Sequence, residues 1–232
     1  MAKIADSTVL IVNGAGFEEF LAKLLQNAGG QRAVIEAAAG LVSRQPQAAE
    51  ISDPAQVGDP HFWLDPSNVI KYVENIRDGL STADPAGAAT YQSNAAAYIA
   101  KLTALDRWIA ARVKEVPEAR RLLVTNHESF GYFADRYGFK IIGTVMPSIS
   151  TGSSPSAQQL AQLIDQIKAA GAKAIFLETG TNPQLAEQVA KETGSQVVTN
   201  LYSNSITDPS GPAPTYIEMM MFNTAAIVTA LK

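Results

Sequence analysis

The apolar positions between Asp84 and Val116 recur in alternating fours and threes, at Tyr91, Ala95, Tyr98, Leu102, Leu105, Ile109 and Val113. That spacing lines one face of a helix with 3.6 residues per turn. Asp84 and Pro85 make a cap and first-turn pair, and no proline follows until Pro117, so the pattern predicts one uninterrupted helix. From Tyr91 to Val116 it would run about 39 Å at about 1.5 Å per residue, the width of a small domain. Strand-like and helix-like segments lie on both sides of it. The expected architecture is α/β, with two parallel-sheet lobes over residues 1–83 and 117–232 joined by a rigid helix over 84–116. A long helix packed across a single domain would satisfy the same periodicity.

Ahead of this helix, Thr8–Val12 is a short apolar run closed by Asn13, Gly14 and Gly16, as expected of a buried parallel strand running into a turn. Phe17, Phe20, Leu21, Leu24 and Leu25 follow at helical spacing, and Ala33–Ala37 reads as a second strand. The glycine-rich turn lacks the GxGxxG spacing of a dinucleotide site and reads as a tight strand-to-helix connection. Residues 43–60 are polar and punctuated by proline, hence a loop, and they deliver DPHFWLDP at 59–66. Val69, Val73, Ile76 and Leu80 then predict a helix with Pro66 in its first turn.

Beyond the long helix, strands are predicted at Arg121–Thr125, Phe139–Val145, Ala174–Leu177 and Gln196–Thr199. Helices are predicted at Phe130–Tyr137, from Ser156 to Gly171, from Pro183 to Gly194 and from Thr215 to Leu231, with a loop over 147–156. Strand and helix alternating at this spacing give a parallel sheet wrapped by helices. Three strand ends, carrying His127, Glu178 and Tyr202-Ser203-Asn204, should emerge on one edge, where ligands of open α/β sheets sit. If the long helix folds the lobes against each other, His61 meets them across a cleft.

Composition narrows the chemistry. With 232 residues and 47% hydrophobic content the chain can bury a real core. Its charge of −4 and lack of any lysine or arginine run argue against a nucleic-acid partner. No stretch of 18 apolar residues is present to span a membrane, and the first twenty residues lack a basic start and apolar run. The absence of cysteine excludes disulfides and thiolate chemistry, and two histidines, His61 and His127, confine imidazole chemistry to two positions. His61, hedged by prolines, Trp63 and two aspartates, is held as a ligand must be, although hydrogen bonding to a loop carbonyl is the ordinary reading of a lone histidine.

DPHFWLDP, the long helix, LLVTNHESFGYFADRYGF, AIFLETGTNPQLAEQVAKETG and VTNLYSNS with a downstream Tyr-x-x-Met-Met occur in that order. Together they closely resemble, over essentially the whole chain, the zinc/manganese substrate-binding proteins of bacterial ABC importers. The resemblance implies a divalent metal held in the inter-lobe cleft and delivered to a permease. It also implies a periplasmic or extracellular location with a membrane anchor on the full-length protein. His61 matches the family's second ligand and His127 its third, and a histidine at that third position favours zinc over manganese. Asn204 stands where the family has its fourth ligand, an aspartate, and Asp208 lies four residues on as a substitute.

Two departures modify this picture. Family members begin with a further segment carrying the first strand, a helix and the first ligand histidine, whereas residues 5–16 here match the second strand. The first lobe is therefore expected to show an exposed sheet position and a bared apolar face, favouring self-association. A neutral amide at Asn204 binds zinc less well than a carboxylate, so weak binding is expected. Each imidazole needs an acceptor on its other nitrogen, for which Asp65, Glu128 and Glu178 are available; Glu128 could instead begin the following helix.

Phe62, Trp63, Phe130 and Tyr132 read as packing. A hydrolase built on His127-Glu128-Ser129 lacks the G-x-S-x-G turn, and HExxH has no second histidine here, so no enzyme is expected. A metal-free binding or adhesin-like protein on the same scaffold remains the alternative.

Overall fold

The computed structural model describes residues 4, 6–18, 21, 25, 27, 32–44, 58–146 and 155–232. Phe20 and Leu24 of the first expected helix, residues 45–57 of the polar loop and residues 147–154 of the later loop lie outside them; Leu21 and Leu25 are helical. The protein is α/β, with strands that pair in parallel throughout. It divides into two compact units, the first reaching to Ala104 and the second running from Leu105 to Lys232.

In the first unit β1 (Val9–Val12) pairs with β2 (Ala33–Glu36), Val9 opposite Ala33 and Val12 opposite Glu36. α1 (Pro66–Ala83) starts on an Asp65 cap whose carboxylate accepts from the Ser67 amide at 2.7 Å, with Pro66 contributing no amide to the orphan first turn. It ends where Asp84 precedes Pro85, a position that disfavours helical backbone. Ile35 of β2 is buried so close to Gly79 of α1 that a Cβ there would lie 2.6 Å from its Cδ1. Ile11, Val34 and Val42 are exposed. The turn after β1 spends its amides internally, because Asn13 and Gly14 both donate to the Glu18 carboxylate, at 2.6 and 3.0 Å.

α2 (Ala88–Val113) is preceded by a 3-10 turn at Pro85–Gly87, so the α-helix proper is shorter than the predicted 84–116. Its residues up to Ala104 group with the first unit and those from Leu105 with the second. Ala95, Leu102, Leu105, Ile109 and Val113 are buried, the stripe the periodicity picks out.

The second unit is a four-stranded parallel sheet in the order β4 (Lys140–Thr144), β3 (Leu122–Thr125), β5 (Ala174–Glu178), β6 (Gln196–Leu201). Its helices are α3 (Gly131–Tyr137), α4 (Ala157–Ala170), α5 (Gln184–Thr193) and α6 (Tyr216–Leu231). β5 is buried along its full length, as a continuous apolar run in a parallel sheet requires. Leu163 and Ile167 of α4 and Ala186 and Val189 of α5 close over Val124, Ile175 and Leu177, each large side chain contributing about 1.5–3 kcal/mol by leaving water. α4 starts with a reciprocal Ser156–Gln159 capping box. No helix among the described residues is long and apolar enough to cross a membrane.

Asp106 on α2 accepts from Arg136 Nε and Nη2 at 3.1 and 2.7 Å and from the Tyr137 hydroxyl at 2.9 Å. The Arg136 hydrogen bond holds its carboxyl below the usual aspartate range; partial burial opposes this, and Tyr137 adds to the lowering. A depressed folded value stabilises above the ordinary value of about 3.9 and is lost as pH falls through the lowered one. Asp106→Asn should therefore cost about 1 kcal/mol near pH 7, since both partners are partly solvated, with the gap closing in acid. Urea titrations of both proteins at neutral and acid pH check this, and a gap that does not change with pH would remove the ion pair as its cause.

Candidate functional site

In the first unit, His61 is 2% exposed and sits just ahead of the short 3-10 turn Phe62–Leu64. Oδ1 of the fully buried Asp59 accepts from the His61 backbone amide at 2.9 Å and lies 2.8 Å from its Nδ1. A carboxylate can only accept, so Nδ1 carries the proton and Nε2 is the ring's acceptor nitrogen. The Asn13 side chain donates to the Pro60 carbonyl at 3.2 Å and accepts from the Tyr72 hydroxyl, tying the turn after β1 to the residue before His61. The Trp63 ring meets the imidazole edge-on at 5.1 Å between centroids, and Phe17 does so at 6.4 Å. Phe17, read as part of a helix face, instead lies in the turn and walls the histidine.

Asp65 is one of the three carboxylates, with Glu128 and Glu178, that the sequence makes available to the imidazoles. The structure uses Asp65 to cap α1, where it accepts from both the amide and the hydroxyl of Ser67 at 2.7 Å. Asp59 takes the imidazole because an aspartate side chain reaches the amide two residues ahead, an Asx turn that Asp-Pro-His already spells.

In the second unit, β3 runs into Asn126-His127-Glu128-Ser129, all four buried. The Thr125 hydroxyl donates to the His127 carbonyl at 2.8 Å, and the amides of Val145 and Met146 pair with the carbonyls of Thr125 and Asn126 at 2.9 and 2.8 Å. His127 Nδ1 lies 2.6 Å from Oε1 of Glu178, at the end of β5. The same carboxylate accepts from Ser129 at 3.4 Å and, through Oε2, from Ser203. Glu178 thus joins the ends of β3 and β5 to the segment carrying Asn204. Glu128 lies ahead of α3, which begins at Gly131 rather than Phe130, so it does not start that helix.

Beyond β5 opens a cavity of about 380 Å³ lined by Asn126, Glu178, Thr181, Asn182, Ser203 and Asn204 among others. Its lining residues do not include Asp208, which is exposed in a turn closed by the Gly211 amide on the Asp208 carbonyl at 2.8 Å. β6 continues two residues past the predicted Thr199, through Asn200 at φ 72°, a left-handed conformation that asparagine tolerates. Asn223 of α6 then grips Tyr202, accepting from its amide at 2.9 Å and donating to its carbonyl at 2.6 Å. Sequence reading missed Asn223, whose only sign is an amide inside an apolar helix. Among the described residues no three or more histidine, aspartate or glutamate side chains gather as a metal cluster.

The model of one protein family, described as ZnuA, zinc-uptake complex component A, periplasmic, matches residues 1–230. The manganese-binding lipoprotein MntA of Halalkalibacterium halodurans is 33% identical over 228 residues, covering 98% of this chain and 73% of that protein. The iron-binding protein YfeA of Yersinia pestis is 39% identical over 164 residues, or 71% of this chain and 52% of its own length. A manganese-bound S38A mutant of a periplasmic metal-binding protein from Candidatus Liberibacter asiaticus superposes with a TM-score of 0.87 at 30% identity, covering 100% of this chain and 83% of the other.

Proposed function

The chain belongs to the zinc-uptake component A family, whose members are substrate-binding components of metal importers and not enzymes, and from that premise we propose that it captures zinc outside the cytoplasm and passes it to an ABC permease. The observation that carries this reading is the paired treatment of the two histidines: each is buried, and each has Nδ1 set against a carboxylate. That is how proteins prepare imidazoles for a metal.

In this proposal His61 and His127 serve one ion through Nε2, oriented by Asp59 and Glu178. The Asn204 oxygen is a third and weaker ligand, with exposed Asp208 as the reserve. Nitrogen donors favour zinc over manganese, since affinity at such sites rises towards the later divalent metals. Relatives named for manganese and iron make those ions the competitors to test. The protein is proposed to work outside the cytoplasm, anchored to the membrane like the lipoprotein relative.

Calorimetric titration of the purified chain with zinc and with manganese tests the reading. One zinc ion per chain is expected, bound more tightly than manganese. A preference for manganese would reverse the assignment of the metal. No binding of either ion to the folded chain would leave the metal-free scaffold as the better account.

A further inference from the structure

Behind His61 lies a second layer of charge. Asp59 uses Oδ1 for both the amide and the ring nitrogen of His61, while its Oδ2 faces Arg44 Nη1 at 3.7 Å. The Asp59 side chain is 0% exposed and that of Arg44 20%. A carboxylate so far from water requires a compensating charge, and the Arg44 guanidinium places a permanent one beside it.

The backbone makes the same connection independently. The Asp59 amide donates to the Arg44 carbonyl at 2.9 Å, and the Ser43 hydroxyl donates to the Asp59 carbonyl at 2.9 Å. Gly58, at φ 100°, permits this approach, because a Cβ there would fall 2.3 Å from the Ser43 hydroxyl oxygen and 2.9 Å from the Arg44 carbonyl oxygen. Residues 43–44 and 58–59 are thereby stapled together on either side of residues 45–57.

We propose that Arg44 is a positioning residue for metal capture, acting through Asp59 to hold the His61 imidazole at its coordinating angle; the proposal rests on His61 being a metal ligand. With Oδ1 bonded to two His61 nitrogens and Oδ2 drawn by charge towards the guanidinium 3.7 Å away, rotation of the carboxylate gives up part of both attractions. The ring it anchors inherits that rigidity, and the ion meets a nitrogen already aimed. The other histidine is secured differently, since hydroxyls of Ser129 and Ser203 hold Glu178. A substitution at Arg44 is therefore expected to reach the site through Asp59 and His61 and not through Glu178.

The test is zinc titration of the whole chain for the wild type, Arg44→Met, Arg44→Lys, Asp59→Asn, His61→Ala and the Arg44→Met/Asp59→Asn double variant, each checked by circular dichroism. Arg44→Met should weaken zinc binding about tenfold, as loss of such outer partners commonly does, and Arg44→Lys should recover most of it. In the Asp59→Asn background Arg44→Met should add nothing, because the path to His61 is already cut. Unchanged affinity in Arg44→Met, or the same loss in both backgrounds, overturns the proposal. If Arg44→Met unfolds the chain, Arg44→Gln carries the same comparison. Should His61→Ala bind zinc as tightly as the wild type, the reading of His61 as a ligand fails; if His61→Ala loses zinc and Arg44→Met does not, only the role of Arg44 fails.

Discussion

His127→Ala is expected to abolish zinc binding while the chain remains folded. His127 is 1% exposed, its Nδ1 lies 2.6 Å from Glu178, and the backbone on both sides of it is pinned by sheet and hydroxyl hydrogen bonds. Alanine removes the imidazole proposed to bind the ion and leaves that frame in place. Loss of an outer partner typically costs 10–100-fold in metal affinity, and loss of a ligand from a site with so few strong ones should exceed that. The Glu178 carboxylate keeps its hydroxyl donors, Ser129 and Ser203, so the buried charge is not stranded. The cavity should cost stability on the order of 2–4 kcal/mol, measurable by urea titration beside the calorimetry. Zinc binding that persists in His127→Ala would place the site elsewhere.

Asn204→Asp should tighten zinc binding tenfold or more, each factor of ten being about 1.4 kcal/mol. Asn204 lines the cavity at the end of β5 beside Glu178, and its amide oxygen offers the ion a dipole where a carboxylate would offer charge. Without metal the new carboxylate adds repulsion towards Glu178, so the metal-free variant should melt no higher than the wild type. With zinc the order should reverse, because an ion that binds only the folded state stabilises it by RT ln(1 + c/Kd), with c the free zinc concentration, which grows as Kd falls. Calorimetry and melting curves with and without zinc read both halves. Equal zinc affinity in the two proteins would show that residue 204 does not reach the ion, and Asp208→Ala would become the next variant to measure.

Where a rule acts over a few residues, the chain was readable. The Asp65-Pro66 start of α1, the Ser156–Gln159 box of α4 and the buried run of β5 stand close to where spacing put them. The two histidines were found for a related reason: one follows a strand directly, and the other is confined within an octapeptide. Strand ends were less legible. β6 runs on to Leu201 because its ladder with β5 shifts register between Phe176 and Glu178, a property of the pair and not of either strand.

The carboxylate partners divide along the same line. DPHFWLDP offers two aspartates, and either could reach His61 on paper; the turn gives Asp59 to the imidazole and Asp65 to the helix cap. Glu178 meets Ser129 across 49 positions and Ser203 across 25, and Asn223 reaches Tyr202 across 21. By itself the sequence determined the parallel α/β class, the long helical stripe and the two histidines at the ends of their segments, because these follow from local periodicity and capping. Only the tertiary structure decided which acid holds each imidazole, that Asn204 and not Asp208 faces the cavity, and that Arg44 stands behind Asp59. Apart from the local Asp59 turn, those choices are contacts between residues well separated along the chain, which residue spacing does not encode.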